Sequence, residues 1–154
     1  MKLINFENKL ELIVNNELLE DIESLAVKHY PNEFGGFLIG KYTNNFKTVE
    51  ISTCISPRKY ENSPTSFIRL NNDIEGVLKG IFNNQKLYYV GEWHSHPNGS
   101  TKYSQTDLKA MIDIVNCDTV NIKNPILLIL SVNKVEVTEY TFYYYNNKKL
   151  IPYE

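Results

Sequence analysis

Apolar residues change their spacing several times along the chain, and each change marks an element. Leu10–Val14, with Ile4–Phe6 before it, suggests an opening hairpin. Leu18, Leu19, Ile22, Leu25 and Ala26 then recur at helical spacing until Pro31 stops the stripe. Phe37–Lys41 and Val49–Ile55 read as neighbouring strands joined by a polar turn around Asn44-Asn45. Residues 57–66 read as a loop. A second helix is expected near Asn72, with Glu75 as capping-box partner and Ile74, Val77, Leu78, Ile81 and Phe82 on one face. Its Gly76 and Gly80 each cost about 1 kcal/mol relative to alanine, so their spacing predicts a closely packed face. Tyr88–Trp93 forms another strand, and Leu108, Met111, Ile112 and Val115 mark a third helix. Ile126–Val132 reads as a buried strand, Lys134–Tyr145 as its partner across a turn at Asn133, and a short strand near Leu150 follows. The expected fold is a mixed α/β single domain over residues 1–154, with a curved central β-sheet between helices.

One segment resists a single reading. From Tyr140 to Tyr145 five of six residues are aromatic, with Tyr140, Phe142 and Tyr144 facing one way and Tyr143 and Tyr145 the other. It suits an aromatic edge strand covered by a helix, or a protein-contact surface, since tyrosine is enriched at interfaces.

Composition narrows the class. A chain of 154 residues, 42% hydrophobic and 22% charged, can bury a core without covalent staples. Its formal charge of −2 offers no basic field for nucleic acid. Glu7 and Glu11 interrupt the first residues, unlike a secretory signal, and no apolar run reaches the eighteen or more residues of a membrane span. A cytoplasmic protein with no membrane partner is expected. Cys54 and Cys117 are too few for a disulfide framework and are expected to be reduced and partly buried.

The chemistry concentrates in GEWHSHPNGSTKYSQTDLKAM, residues 91–111. If the strand beginning at Tyr88 continues through the histidines, His94 and His96 face one side about 6.6 Å apart at Cα, with Ser95 pointing away. Pro97, Asn98 and Gly99 turn the chain, and Asp107 falls in the first turn of the following helix. Two imidazoles and a carboxylate are the ligands a catalytic zinc takes, with a fourth position open to water. Ser104 beside them can hold charge that builds up on a substrate. Ser104-x-x-Asp107 is also a capping-box pattern, and the two roles are compatible. His29, just before Pro31, reads as a surface or satisfied core histidine.

His94-Ser95-His96-Pro97, followed by Ser104 and Asp107, resembles the JAMM signature of the JAB/MPN metallopeptidases. These hydrolyse the isopeptide or peptide bond after the C-terminal tail of ubiquitin or a ubiquitin-like protein. Their pattern includes an upstream glutamate, and PNEFGGFLIG supplies Glu33 before Gly35-Gly36. The resemblance runs from about Glu17 to Val132. Trp93, the double glycine and Pro64-Thr65-Ser66-Phe67 before Arg69 are most similar to small bacterial JAB proteins of CBASS antiphage operons and integrative elements. In those systems the conjugated protein is a nucleotidyltransferase of the CD-NTase type.

The resemblance implies Zn²⁺ on His94, His96 and Asp107, Glu33 as proton carrier, and Ser104 as a donor to the oxyanion. It implies a protein-conjugate substrate. A tail is expected to add to a strand edge near Phe37–Lys41 or to the 57–70 loop, with Gly35 and Gly36 letting its backbone approach. Two other functions share the fold. One is processing of a sulfur-carrier or ubiquitin-like precursor by the same chemistry. The other is a non-catalytic scaffold, which typically lacks metal ligands that this chain retains.

Overall fold

The computed structural model describes residues 1–70 and 74–154. Strands β1 (Lys2–Asn5) and β2 (Leu10–Val14) form the opening hairpin, and α1 (Asn16–His29) follows. Asn15 caps α1 by accepting the Glu17 amide at 2.9 Å. Leu18, Leu19, Ile22 and Ala26 make its buried stripe. β3 (Gly35–Thr43) and β4 (Thr48–Ile55) are antiparallel neighbours, and the turn between them takes Asn44, Asn45 and Phe46 through the left-handed region. Then come β5 (Tyr60–Ser63), β6 (Ser66–Arg69), α2 (Ile74–Gln85), β7 (Tyr88–Pro97) and α3 (Gln105–Val115). β8 (Ile126–Val132), β9 (Val137–Asn146) and β10 (Lys149–Pro152) complete the chain.

Eight strands form one sheet in the order β1-β2-β4-β3-β7-β8-β9-β10, parallel only at β2/β4 and β7/β8. Paired backbone bonds between Ile4 and Glu154, 2.9 and 3.0 Å, bring the two outer strands together and curl the sheet. α1 packs on one face over Leu38, Trp93, Leu128 and Phe142. α3 packs on the other, where Met111 meets Leu127, Ile129, Tyr143 and Tyr145. Strand β8, ILLILSV, is buried along its whole length because both faces are covered. Each such aliphatic side chain contributes about 1.5–3 kcal/mol by leaving water. The mixed α/β fold with a curved sheet between helices is as expected.

Several local expectations change. Residues 57–66 are not a structureless loop: β5 and β6 form a two-stranded antiparallel hairpin running from Tyr60 to Arg69. The aromatic strand is not an edge, since β9 lies between β8 and β10 and buries Phe142, Tyr143 and Tyr145. Its two side-chain rows do separate as the alternation predicts, one to each core. β3 is interior, with Phe37–Gly40 paired on both sides and Lys41 to β4, so the expected strand edge at Phe37–Lys41 is occupied over all but its last residue. On α2 no described residue is buried, and a methyl group on Gly80 would meet nothing within 4 Å, so that glycine marks no close contact. The expected start at Asn72 lies outside the described residues. Cys54 is half-buried and Cys117 exposed, both as free thiols. No described helix is long and apolar enough to cross a membrane.

Candidate metal centre

Strand alternation builds the first half of the site. β7 carries His94 and His96 on the α3 face, while Trp93 and Ser95 point into the opposite core. Ser95 is fully buried, and its hydroxyl accepts from the Phe34 amide at 3.1 Å and donates to the Phe34 carbonyl at 3.3 Å. Neighbouring β3 pairs Gly35 with His94. A Cβ on Gly35 would stand 2.3 Å from the Trp93 carbonyl oxygen and 2.9 Å from His94 Cβ. One on Gly36 would stand 2.5 Å from the Ile55 carbonyl oxygen. Both glycines therefore serve the approach of the protein's own strands. This replaces the expectation that they admit a substrate backbone.

The chain after His96 is pinned along its length. The Asn98 amide donates to Val132 O at 2.8 Å, and Ser131 Oγ donates to Gly99 O. Tyr143 Oη donates to Thr101 O at 2.8 Å. This path delivers the chain to α3, whose capping box is complete: Asp107 N donates to Ser104 Oγ at 3.1 Å and Ser104 N to Asp107 Oδ2 at 2.6 Å. The cap fixes the carboxylate as well as the helix start.

His94, His96 and Asp107 converge, with one ligand atom from each within 4.8 Å of the others. The two Nε2 atoms are 3.0 Å apart, Asp107 Oδ1 is 3.1 Å from His94 Nε2, and Oδ2 is 3.6 Å from His96 Nε2. Ligands about 2.0–2.1 Å from a tetrahedral zinc stand roughly 3.3 Å apart, so the spacing suits one ion. The tautomer suits it too. His96 Nδ1 lies 2.8 Å from the Ser100 carbonyl oxygen, which can only accept, so in the neutral ring Nδ1 carries the proton and Nε2 its lone pair. All three side chains are only 13–16% exposed.

Electrostatics favour the ligating form at two of the three groups. Burial, then the charge of His94, lowers the His96 pKa against opposing contributions from Ser100 and Asp107, favouring neutral imidazole. Burial raises the pKa of Asp107, but bonding and charge from His94 and the Ser104 cap outweigh it and hold the carboxyl well below the usual range.

Glu33 stands beside this cluster. A bond from Ser95 N to Phe34 O, 2.8 Å, carries the β3–β7 contact one residue past Gly35, and continuing its alternation brings Glu33 to the histidine face, where it feels the charges of His94 and Asp107. Burial raises its pKa, with His94 opposing and Asp107 adding. Another carboxylate, Glu92, shares that face two residues before His94, but both its oxygens are committed. Tyr89 Oη donates to Oε1 at 3.0 Å, and Arg69 pairs with Oε2. Asp107 is held by the histidines and the cap. Glu33 alone among these three has no hydrogen bond to its carboxylate among the described residues.

Ser104 is exposed, and its hydroxyl accepts in the cap while retaining its own proton. His29 is satisfied, with Nδ1 at 2.8 Å from Leu25 O and its ring stacked on Phe34. Sequence reasoning missed the Ser100 carbonyl and the Arg69–Glu92 pair. The first is a backbone atom with no residue signature. For the second, the two-residue offset of Glu92 from His94 was the available signal.

Residues 15–143 match the family model of prokaryotic homologs of the JAB domain. A CD-NTase/cGAS isopeptidase from Enterobacter hormaechei subsp. hoffmannii is 31% identical over 120 residues, which cover 77% of this chain and 66% of that protein. The alignment thus spans just under two thirds of that relative's length. The solution structure of a Desulfitobacterium hafniense protein superposes with a TM-score of 0.64 at 16% identity, covering 92% of this chain and 88% of the other. One from Salinibacter ruber gives 0.57 at 20% identity, covering 88% of each chain. These two likenesses concern the fold. The family match takes in Glu33, the histidine strand and the start of α3 together, and the chain belongs to the prokaryotic JAB-domain family.

Proposed function

We propose that this chain is a zinc-dependent isopeptidase, acting as a single domain in the cytoplasm. It hydrolyses the amide bond between the C-terminal tail of a ubiquitin-like or CD-NTase-type protein and the amine to which that tail is conjugated. One observation carries the reading: Glu33, whose carboxylate has no hydrogen bond among the described residues, lies close enough to feel the charges of His94 and Asp107, which with His96 are spaced for one ion. The name of the Enterobacter relative supports the substrate class. Reversal of conjugation in an antiphage system is the role that the sequence resemblance adds to it.

His94 and His96 present Nε2 and Asp107 its carboxylate as ligands. A zinc ion held there supplies Lewis acidity toward the scissile carbonyl and acidifies water. Glu33 takes the proton from the attacking water and passes it to the departing lysine amine, which leaves poorly unless protonated. Its raised pKa brings it nearer the range in which one carboxyl can both accept and donate. Ser104 donates its free hydroxyl proton to the carbonyl oxygen as negative charge develops there. The β5–β6 hairpin, a two-stranded sheet of its own, offers edges along which an extended tail can lie, apart from the Ser63 carbonyl that the Glu33 amide occupies.

Glu33→Gln tests the scheme. The variant should keep stoichiometric zinc and its melting temperature while losing at least about a hundredfold in turnover of an isopeptide conjugate. Unchanged turnover would remove Glu33 from the mechanism, and chelator-resistant cleavage would remove the metal.

A further inference from the structure

The β5–β6 hairpin reaches the site by two routes that do not involve substrate. Near its turn it grips the backbone of Glu33 from both sides. The Glu33 amide donates to Ser63 O at 2.8 Å, and Asn62 Nδ2 donates to Glu33 O at 3.0 Å. Near its base, Arg69 pairs with the buried Glu92 of β7, and its guanidinium lies over the Phe37 ring at 4.7 Å. Glu92 is 7% exposed, so Arg69 is the charge that makes its burial tolerable. Tyr60 and Phe67 fill the space between these ends by packing edge-on against Phe34, the residue after Glu33.

The pattern has a mechanical consequence. Glu33 precedes the ladder of β3, so the sheet fixes it only through its neighbour Phe34. Its remaining backbone bonds go to the hairpin. The hairpin is itself fixed to the strand that carries His94 and His96. We propose that Asn62 is a positioning residue for Glu33, and that the Arg69–Glu92 pair sets the hairpin, and through it the carboxylate, relative to the metal ligands. The hairpin is then a splint for the proton carrier in addition to any contact with the tail. This rests on the role given to Glu33 above.

The test is a double-mutant cycle. Asn62→Ala removes one donor and leaves the Glu33–Ser63 bond. Zinc content and kinetics are measured for wild type, Asn62→Ala, Glu33→Gln and the double variant. The probe is a lysine peptide isopeptide-linked to the nucleotidyltransferase C-terminal tail. Asn62→Ala should lower kcat about ten- to a hundredfold with KM and zinc content unchanged. In the Glu33→Gln background it should lower kcat no further. An equal loss in both backgrounds, a change in KM alone or no loss overturns the splint. A wild-type rate for Glu33→Gln overturns the Glu33 mechanism and the splint with it, a distinguishable result. Arg69→Met supplies a readout independent of activity. In zinc-free protein, amide exchange at Glu33 should accelerate while exchange at Ser95, bonded to Phe34 O, stays unchanged. Equal rates at Glu33 in both proteins would overturn the Arg69 half.

Discussion

Residues 94–107 and residues 60–85 both serve the site but are built in opposite ways. The first stretch is a strand end, a pinned turn and a capped helix start: His96 is bonded to Ser100 and Asp107 to Ser104 within it, and the turn between them is tied to β8 and β9. The second is a two-stranded excursion followed by a helix with no described residue fully buried, attached through a few specific contacts. A metal needs three ligand atoms fixed to within tenths of an ångström, which local covalent spacing and a helix cap supply. The proposed proton carrier, Glu33, sits where the sheet ends and relies on contacts from outside the ladder. The metal half of this site is therefore locally encoded and the Glu33 half is tertiary.

The largest effect should come from breaking the local half. Asp107→Ala removes a ligand and the N3 member of the cap together, and should lose both metal and cleavage, measured by elemental analysis and turnover. Asp107→Asn keeps an oxygen for the Ser104 amide but not the charge, so it should melt near wild type while binding metal weakly. Equal melting losses in both variants would mean that the charge, not the cap, orders this turn. Deleting residues 58–65 removes Asn62 and Ser63 and should cut turnover at least about a hundredfold through Glu33 as well as through tail binding. Zinc content should survive, since no ligand contacts the hairpin among the described residues. Loss of zinc would show that the two halves are not separable.

Smaller effects concern stability. Gly35→Ala drives a Cβ into the Trp93 carbonyl at 2.3 Å, and should cost a few kcal/mol in denaturant unfolding because two backbones must part. Ser104→Ala should cost about 1 kcal/mol by removing a helix cap. Gly80→Ala lies in open space within a helix and should stabilise by about 0.5–1 kcal/mol. A destabilised Gly80→Ala protein would reveal a close contact on α2 and weaken the contrast between the two regions.

Legibility followed the same division. β8 matches its predicted bounds, Ile126–Val132, because an uninterrupted apolar run bounded by turns has few other packings. The histidines share a face because strand alternation leaves no choice. The hairpin was hidden for a physical reason. Tyr60, Asn62, Phe67 and Arg69 are not a hydrophobic row, and two of them are polar because their partners, the Glu33 carbonyl and the Glu92 carboxylate, lie far away in the chain. The aromatic run showed its two faces but not its neighbours, since alternation says which way a side chain points and nothing about which strand lies beside it.

By itself the sequence determined the order of elements apart from the β5–β6 hairpin, the mixed α/β class and the convergence of His94, His96 and Asp107, all consequences of short-range periodicity and capping. Only the tertiary structure decided that β9 is interior and that Gly35 and Gly36 serve strand packing. It alone showed that Glu92 is committed to Arg69 and Tyr89, while the Glu33 carboxylate has no hydrogen bond among the described residues. Those outcomes depend on pairings between residues far apart in the chain, and no local spacing records them.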